Sequence, residues 1–179
     1  MKTVTLTVTG GIAAYKACEI VTKLRAQNCN VRVVMTAHAC EFITPLTFRT
    51  LSGNPVRTGL FEDYTPDLVG HLALSDSDVF LIAPATANLI GKIAHGLADD
   101  LASTTALAVP VDTPKLVAPA MNTKMYENPA FIKNLTTLTA ELGYTEIAPR
   151  KSLLACGEVG TGALADVDLI VEEVLKNLK

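Results

Sequence analysis

A strand that ends in two glycines and runs straight into a helix constrains this chain more than any other feature. Thr3–Val8 alternates Thr with Val or Leu, the period of a strand. Gly10-Gly11 breaks that pattern. Ile12–Gln27 then carries Ile12, Ala13, Ala17, Ile20, Val21 and Leu24 on one helical stripe. Asn28–Asn30 reads as a turn and Val31–Met35 as a second, β-branched strand. Val79–Ala83 reads as a buried parallel strand bounded by Pro84, and Lys115–Ala118 as another between Pro114 and Pro119. Pro129–Leu142 predicts a helix closed by Gly143 at C′. Asp166–Leu178 predicts a last helix with Asp166 as N-cap. Such alternation implies an α/β fold: a single doubly wound parallel sheet, Rossmann- or flavodoxin-like, with helices on both faces. Residues 1–179 are expected to form one domain. Two stretches, Ser52–Gly70 and Ala148–Gly162, fit no regular element, and long loops in compact domains are usually functional or mobile.

Composition narrows the function classes. With 49% hydrophobic and 18% charged residues, the chain can build a core and is not expected to be disordered. A net charge of -3 without any Lys/Arg run argues against nucleic acid as a partner. No run of 18 apolar residues is present, so no membrane-spanning helix is expected, and the Thr-rich start does not read as a signal peptide. Cys18, Cys29, Cys40 and Cys156 form no CxxC and no zinc spacing with histidine. No metal is therefore expected, and a reduced cytoplasmic protein is.

In open α/β sheets, ligands bind beyond the carboxyl ends of the strands. Thr9-Gly10-Gly11-Ile12 lies there, where two glycines admit a close ligand and a helix N-terminus favours an anion. The full GxGxxG pattern is absent. Met35-Thr36 stands where a dinucleotide fold places an acid for the ribose. A hydroxyl suits a terminal phosphate, so the loop fits a mononucleotide; a plain tight turn is the competing reading. Ala83–Asn88 follows another strand, and Thr86 there reads equally as a ligand contact or an N-cap.

Four segments together carry a resemblance: TGGIAAYK at Thr9–Lys16, GHLAL at Gly70–Leu74, PAMNTKMY at Pro119–Tyr126 and ACGEVGTG at Ala155–Gly162. They resemble the homo-oligomeric flavin-containing cysteine decarboxylases, over nearly the whole chain. The resemblance implies FMN as cofactor and a homotrimer or a higher multiple of it. His71 and Cys156 would be catalytic, and Asn122 would bind the substrate carboxylate, with Ala120, Met121 and Met125 beside it. Flavin contacts would come from Gly10, Gly11, Ile12, Thr36, Phe42, Ala85, Thr86, Asn88, Ser103 and Ala120. Tyr126 departs from the Trp that many members carry. The expected substrate is 4'-phosphopantothenoylcysteine, an intermediate of coenzyme A synthesis. Many bacterial versions are fused to the ligase of the preceding step; here that synthetase is expected as a separate chain.

The chemistry agrees with these residue types. A cysteine carboxylate has no electron sink, so loss of CO2 needs prior oxidation of the thiol to a thioaldehyde, which a flavin can supply. His71 would serve as base or orienter. Asn122 can donate to a carboxylate without adding a charge that opposes CO2 loss, although it also suits an N-cap. Cys156, among Gly157, Gly160 and Gly162, reads as a proton donor on a mobile flap. Cys18, Cys29 and Cys40 read as inert, and His38 and His95 as satisfied surface histidines. Rival readings are a decarboxylase of peptides ending in cysteine, a flavin prenyltransferase, and a non-catalytic flavodoxin-like or regulatory flavoprotein.

Overall fold

The computed structural model describes residues 1–61, 70–153, 157 and 159–178, with Gly70 and His71 described in backbone alone. The strand β1 (Thr3–Val8) leads through Gly10-Gly11 into a 3-10 turn, Ile12–Tyr15, and then α1 (Lys16–Ala26). The single helix expected from Ile12 is thus two pieces. Gly11 offers no side chain to cap the start, and the first turn tightens, with Ala14 N donating to Gly11 O at 2.9 Å. β2 (Asn30–Met35), α2 (Ala37–Cys40) and α3 (Pro45–Ser52) follow. Next come β3 (Val56–Arg57), α4 (Gly70–Ser75), β4 (Val79–Ala85), α5 (Ala87–Ala94) and α6 (Leu101–Ala108). β5 (Lys115–Pro119), α7 (Thr123–Tyr126), α8 (Pro129–Ala140) and β6 (Tyr144–Glu146) continue the alternation. β7 (Arg150–Leu153), β8 (Val159–Ala163) and α9 (Val167–Asn177) complete it.

Six strands form a parallel sheet in the order β3-β2-β1-β4-β5-β6. The order reverses between β1 and β4, the place where such sheets open a crevice at their carboxyl edge. Val4, Leu6 and Val8 bury against Ile20 and Leu24 of α1 and Ile170 and Val174 of α9. Phe80 and Ile82 bury on the other face against Leu89, Leu101 and Leu138 of α5, α6 and α8. On that second face β1 presents threonines. Thr5 Oγ1 donates to Leu74 O at 2.7 Å, and Arg32 Nη1 donates to Ala73 O at 2.6 Å, so α4 is tied to the sheet through its backbone carbonyls.

Three expectations need correction. β4 does not stop before Pro84 but runs through it to Ala85 across a cis Ala83-Pro84 bond. The register to β5 shifts between Ile82 and Ala85, so proline sits where the ladder is already irregular. The stretch Ser52–Gly70 contains the edge strand β3 after a left-handed C-cap at Gly53 (φ 71°); residues 62–69 lie outside the described residues. The stretch Ala148–Gly162 contains an antiparallel hairpin, β7 with β8, separate from the main sheet. Asp166 does occupy the N-cap of α9, yet its carboxylate makes no capping bond and instead meets Arg150 Nε at 3.4 Å.

Candidate active site

The two loops at the switch point are bolted together by one buried hydroxyl. Thr9 Oγ1 donates to Pro84 O at 2.6 Å and accepts from Thr86 N at 2.9 Å. A third segment joins them: Ala120 N donates to Ala85 O at 3.1 Å, and Met121 N donates to Gly162 O at 2.9 Å. The Gly10-Gly11 turn, the start of α5, the Ala120–Asn122 segment and the β7–β8 hairpin therefore meet. Between them lies a cavity of about 560 Å³, within the range of small-molecule sites.

Glycine is required at two of these junctions. A Cβ on Gly10 would collide with His38 on α2, and one on Gly162 (φ 152°) would collide with the Met121 carbonyl oxygen. The glycines of the third motif are thus explained partly by contact. Gly160 and Gly162 lie within β8, packed on Thr123 and Met121, while no atom of the described residues lies near the absent side chain of Gly157 (φ 83°).

Of the residues expected at a site, Gly10, Gly11, Ile12, Thr86, Ala120, Met121, Asn122 and Met125 all face this cavity. Thr86 stands at the N-cap of α5 but makes no side-chain capping bond, so its hydroxyl is not spent on the helix. Asn122 does cap α7: Oδ1 accepts from Lys124 N at 2.8 Å, which fixes the amide with Nδ2 as its donor edge. Tyr126 anchors α7 by donating to Glu146 at 2.8 Å and packing on Phe131. Burial first, and that carboxylate second, push its pKa up to about 12.

The other expected contacts lie outside the lining of this cavity. Thr36 caps α2 by accepting from Ala39 N at 3.2 Å and keeps its proton to donate. Phe42 is 50% exposed just beyond α2, Asn88 is exposed on the first turn of α5, and Ala85 is buried at the end of β4. Ser103 is buried on α6 in a capping box with Asp100. His71 falls in the first turn of α4, which packs on α6. Cys156 lies outside the described residues, in the connection between two strands that both face the cavity. Burial raises the thiol pKa values of Cys18 and Cys29, which suits inert side chains. His95 pairs with Asn134 at 3.1 Å, and His38 is exposed. Two cavity residues, Lys16 and Arg150, were missed by motif reading. Lys16 closes the TGGIAAYK segment, but Arg150 opens a stretch with no recognisable element.

A family model described as Flavoprotein matches residues 1–179. The chain belongs to the flavoprotein family. This flavoprotein is 47% identical over 178 residues to a probable phosphopantothenoylcysteine decarboxylase of Streptococcus mutans, covering 99% of each chain. It is 45% identical over 172 residues to the coenzyme A biosynthesis bifunctional protein CoaBC of Bacillus subtilis, spanning 96% of this chain and 42% of that one. A solved mutant PPC decarboxylase complexed with pantothenoylaminoethenethiol superposes with TM-score 0.86 at 35% identity, covering 98% of this chain and 97% of that one. SpaF, described as an FMN-dependent cysteine decarboxylase, superposes with TM-score 0.84 at 29% identity, covering 100% and 98%. The expected parallel α/β sheet and the expected family both hold.

The residues present fit a flavin mononucleotide. Ile12 (62% exposed) and Met125 give apolar faces for a ring system. The glycine turn leaves room beside Thr86, whose methyl group would stand 3.9 Å from a Cβ on Gly11. The turn also starts a helical segment, whose first N–H groups have no intrahelical acceptor and suit a phosphate. No group of three or more His, Cys, Asp or Glu that could hold a metal ion occurs among the described residues, and no helix among them is long and apolar enough to cross a membrane.

Proposed function

We propose that this flavoprotein decarboxylates 4'-phosphopantothenoylcysteine to 4'-phosphopantetheine, with FMN as cofactor. The observation that carries the reading is the convergence of the Gly10-Gly11 turn, Thr86 and the Ala120–Met125 segment on one cavity at the switch point of the sheet. FMN, when bound, supplies the oxidation that turns the substrate thiol into an electron sink for decarboxylation.

The chain's own residues do the rest. The turn and Thr86 hold the cofactor, and Thr36 offers a hydroxyl to its phosphate. Asn122, fixed by Lys124 N–H, orients the substrate carboxylate through Nδ2. Its neutral amide adds no cation to stabilise the departing carboxylate, so CO2 loss is not opposed. His71 takes or positions the proton in the oxidative half, and Cys156 returns a proton to the enethiol in the reductive half. That cysteine belongs by sequence to the connection between β7 and β8, and both strands contribute residues to the cavity lining.

The active assembly is a homotrimer or a multiple of it, supported by the half-exposed apolar residues Ile12 and Phe42 on the carboxyl side of β1 and β2. The synthetase of the preceding step is its functional partner in the cytoplasm; the bifunctional CoaBC relative supports that pairing.

The test is product identity. Purified holoenzyme given 4'-phosphopantothenoylcysteine should release CO2 and a thiol of the mass of 4'-phosphopantetheine. Turnover of peptides ending in cysteine, with none of the small conjugate, would overturn the substrate assignment.

A further inference from the structure

Two cations line the cavity. Lys16 and Arg150 both line it, and no Asp or Glu does among the described residues. In a chain of net charge -3 this is a local excess of positive charge.

Arg150 is held in a definite way. Its Nε donates to Leu164 O at 3.2 Å and faces Asp166 Oδ1 at 3.4 Å. Asp166 forgoes a capping bond to its own helix while it pairs with Arg150. The guanidinium is therefore gripped along one edge, and neither terminal nitrogen has a partner among the described residues. That pair of nitrogens matches the fork geometry with which arginine takes two oxygens of a phosphate. Lys16, half-buried at the first residue of α1, has no acceptor among the described residues either. Two half-buried cations with unspent donors, in a pocket with no carboxylate among the described residues, call for an anion.

We infer that Arg150 and Lys16 bind the terminal phosphate of the substrate and set the enzyme's preference for the phosphorylated over the unphosphorylated conjugate. This rests on the substrate reading given above. The flavin phosphate is the competing occupant. The glycine turn and Thr36 already provide for it on the sheet side, whereas Arg150 belongs to β7, on the hairpin whose connection contains Cys156. Asn122 and Arg150 line the same cavity, so the substrate is held by its carboxylate at one end and its phosphate at the other.

The experiment compares Arg150→Met, Lys16→Met and the charge-conserving Arg150→Lys with the parent holoenzyme. Lys151→Met, an exposed neighbour outside the cavity, is the control. The readouts are kcat and KM for 4'-phosphopantothenoylcysteine and for its dephospho analogue, and FMN per subunit. Each methionine variant should raise KM for the phosphorylated conjugate about tenfold or more, as loss of a charge-assisted bond does. KM for the dephospho analogue, kcat and FMN content should hold, and Arg150→Lys should fall between. Unchanged preference for the phosphorylated conjugate in both methionine variants overturns the inference, and so does loss of FMN without loss of preference. A parent that turns over neither conjugate fails the functional reading itself and this inference with it.

Discussion

Replacing Gly162 by alanine tests how the hairpin is held to the site. The backbone at Gly162 has φ 152°, a region that side chains rarely adopt, and its Cβ would overlap the Met121 carbonyl oxygen. Backbone strain of this kind costs about 1–3 kcal/mol. Relieving the overlap also breaks or stretches the 2.9 Å bond from Met121 N to Gly162 O, worth about 1 kcal/mol. The sum is about 2–4 kcal/mol, concentrated where β8 meets the Ala120–Asn122 segment. For a chain of this size each kcal/mol shifts Tm by about 2–4 °C, so a fall of roughly 5–15 °C is expected. The hairpin also carries Arg150 and flanks Cys156, so kcat/KM should drop at least about tenfold, as small misplacements in a site do. Gly157→Ala is the matched comparison: its φ of 83° is also left-handed, but no atom of the described residues lies within 4 Å of the added Cβ. It should cost only about 1–2 kcal/mol. Scanning calorimetry and steady-state kinetics on both holoenzymes decide the matter. Gly162→Ala with parental Tm and kcat/KM, or Gly157→Ala equally damaged, would refute the close-contact account.

Three further outcomes are expected. Thr9→Val should destabilise the fold by about 1–3 kcal/mol in urea and weaken FMN binding, because it orphans Thr86 N and leaves Pro84 O with only the longer bond from Thr9 N. Lys115→Met should stabilise by about 1 kcal/mol at neutral pH, since Lys115 is buried with its Nζ 5.6 Å from the Tyr144 ring and makes no salt bridge among the described residues, Asp112 acting on it only at longer range. Burial lowers the Lys115 pKa, so the unfolded chain binds more protons below 10.5; parental stability should rise with pH from the lowered value towards 10.5, and this part of the slope should vanish in the variant. His71→Asn should keep its FMN yet lose anaerobic bleaching by substrate, whereas Cys156→Ser should bleach and yield a product two hydrogens lighter than 4'-phosphopantetheine by mass; normal bleaching in the first or saturated product at the parental rate in the second would remove that residue from its assigned half-reaction.

The sheet was legible because periodicity marks strands. The all-apolar Val79–Ala83 run also reports its burial, whereas the Thr3–Val8 alternation does not: Thr5 and Thr7 are buried like their apolar neighbours, on the face that meets α4. The glycine turn and the Pro119–Tyr126 segment were legible as site elements because each follows such a strand at its carboxyl end. The hairpin was not legible. Arg150–Leu153 alternates weakly, and Val159–Ala163 holds two glycines that any local rule assigns to a loop; their reason is contact with Met121 and Thr123, which sequence does not display. Pro84 misled for a related cause, since the rule that proline ends a strand assumes a regular ladder and the ladder is shifted there. Arg150 was missed because its significance lies in partners 14 and 16 positions away, Leu164 and Asp166.

The tether of α4 has an evolutionary consequence. Thr5 and Arg32 grip this helix by the carbonyl oxygens of Leu74 and Ala73, and Arg32 reaches Asp76 O as well at 3.2 Å. A carbonyl oxygen is the same whatever side chain its residue bears. Mutations along α4 can therefore sample new surfaces while the helix keeps its seat, and the turn that bears His71 stays anchored as its surroundings drift. Substitutions at Thr5 or Arg32 have no such freedom, although neither lines the cavity.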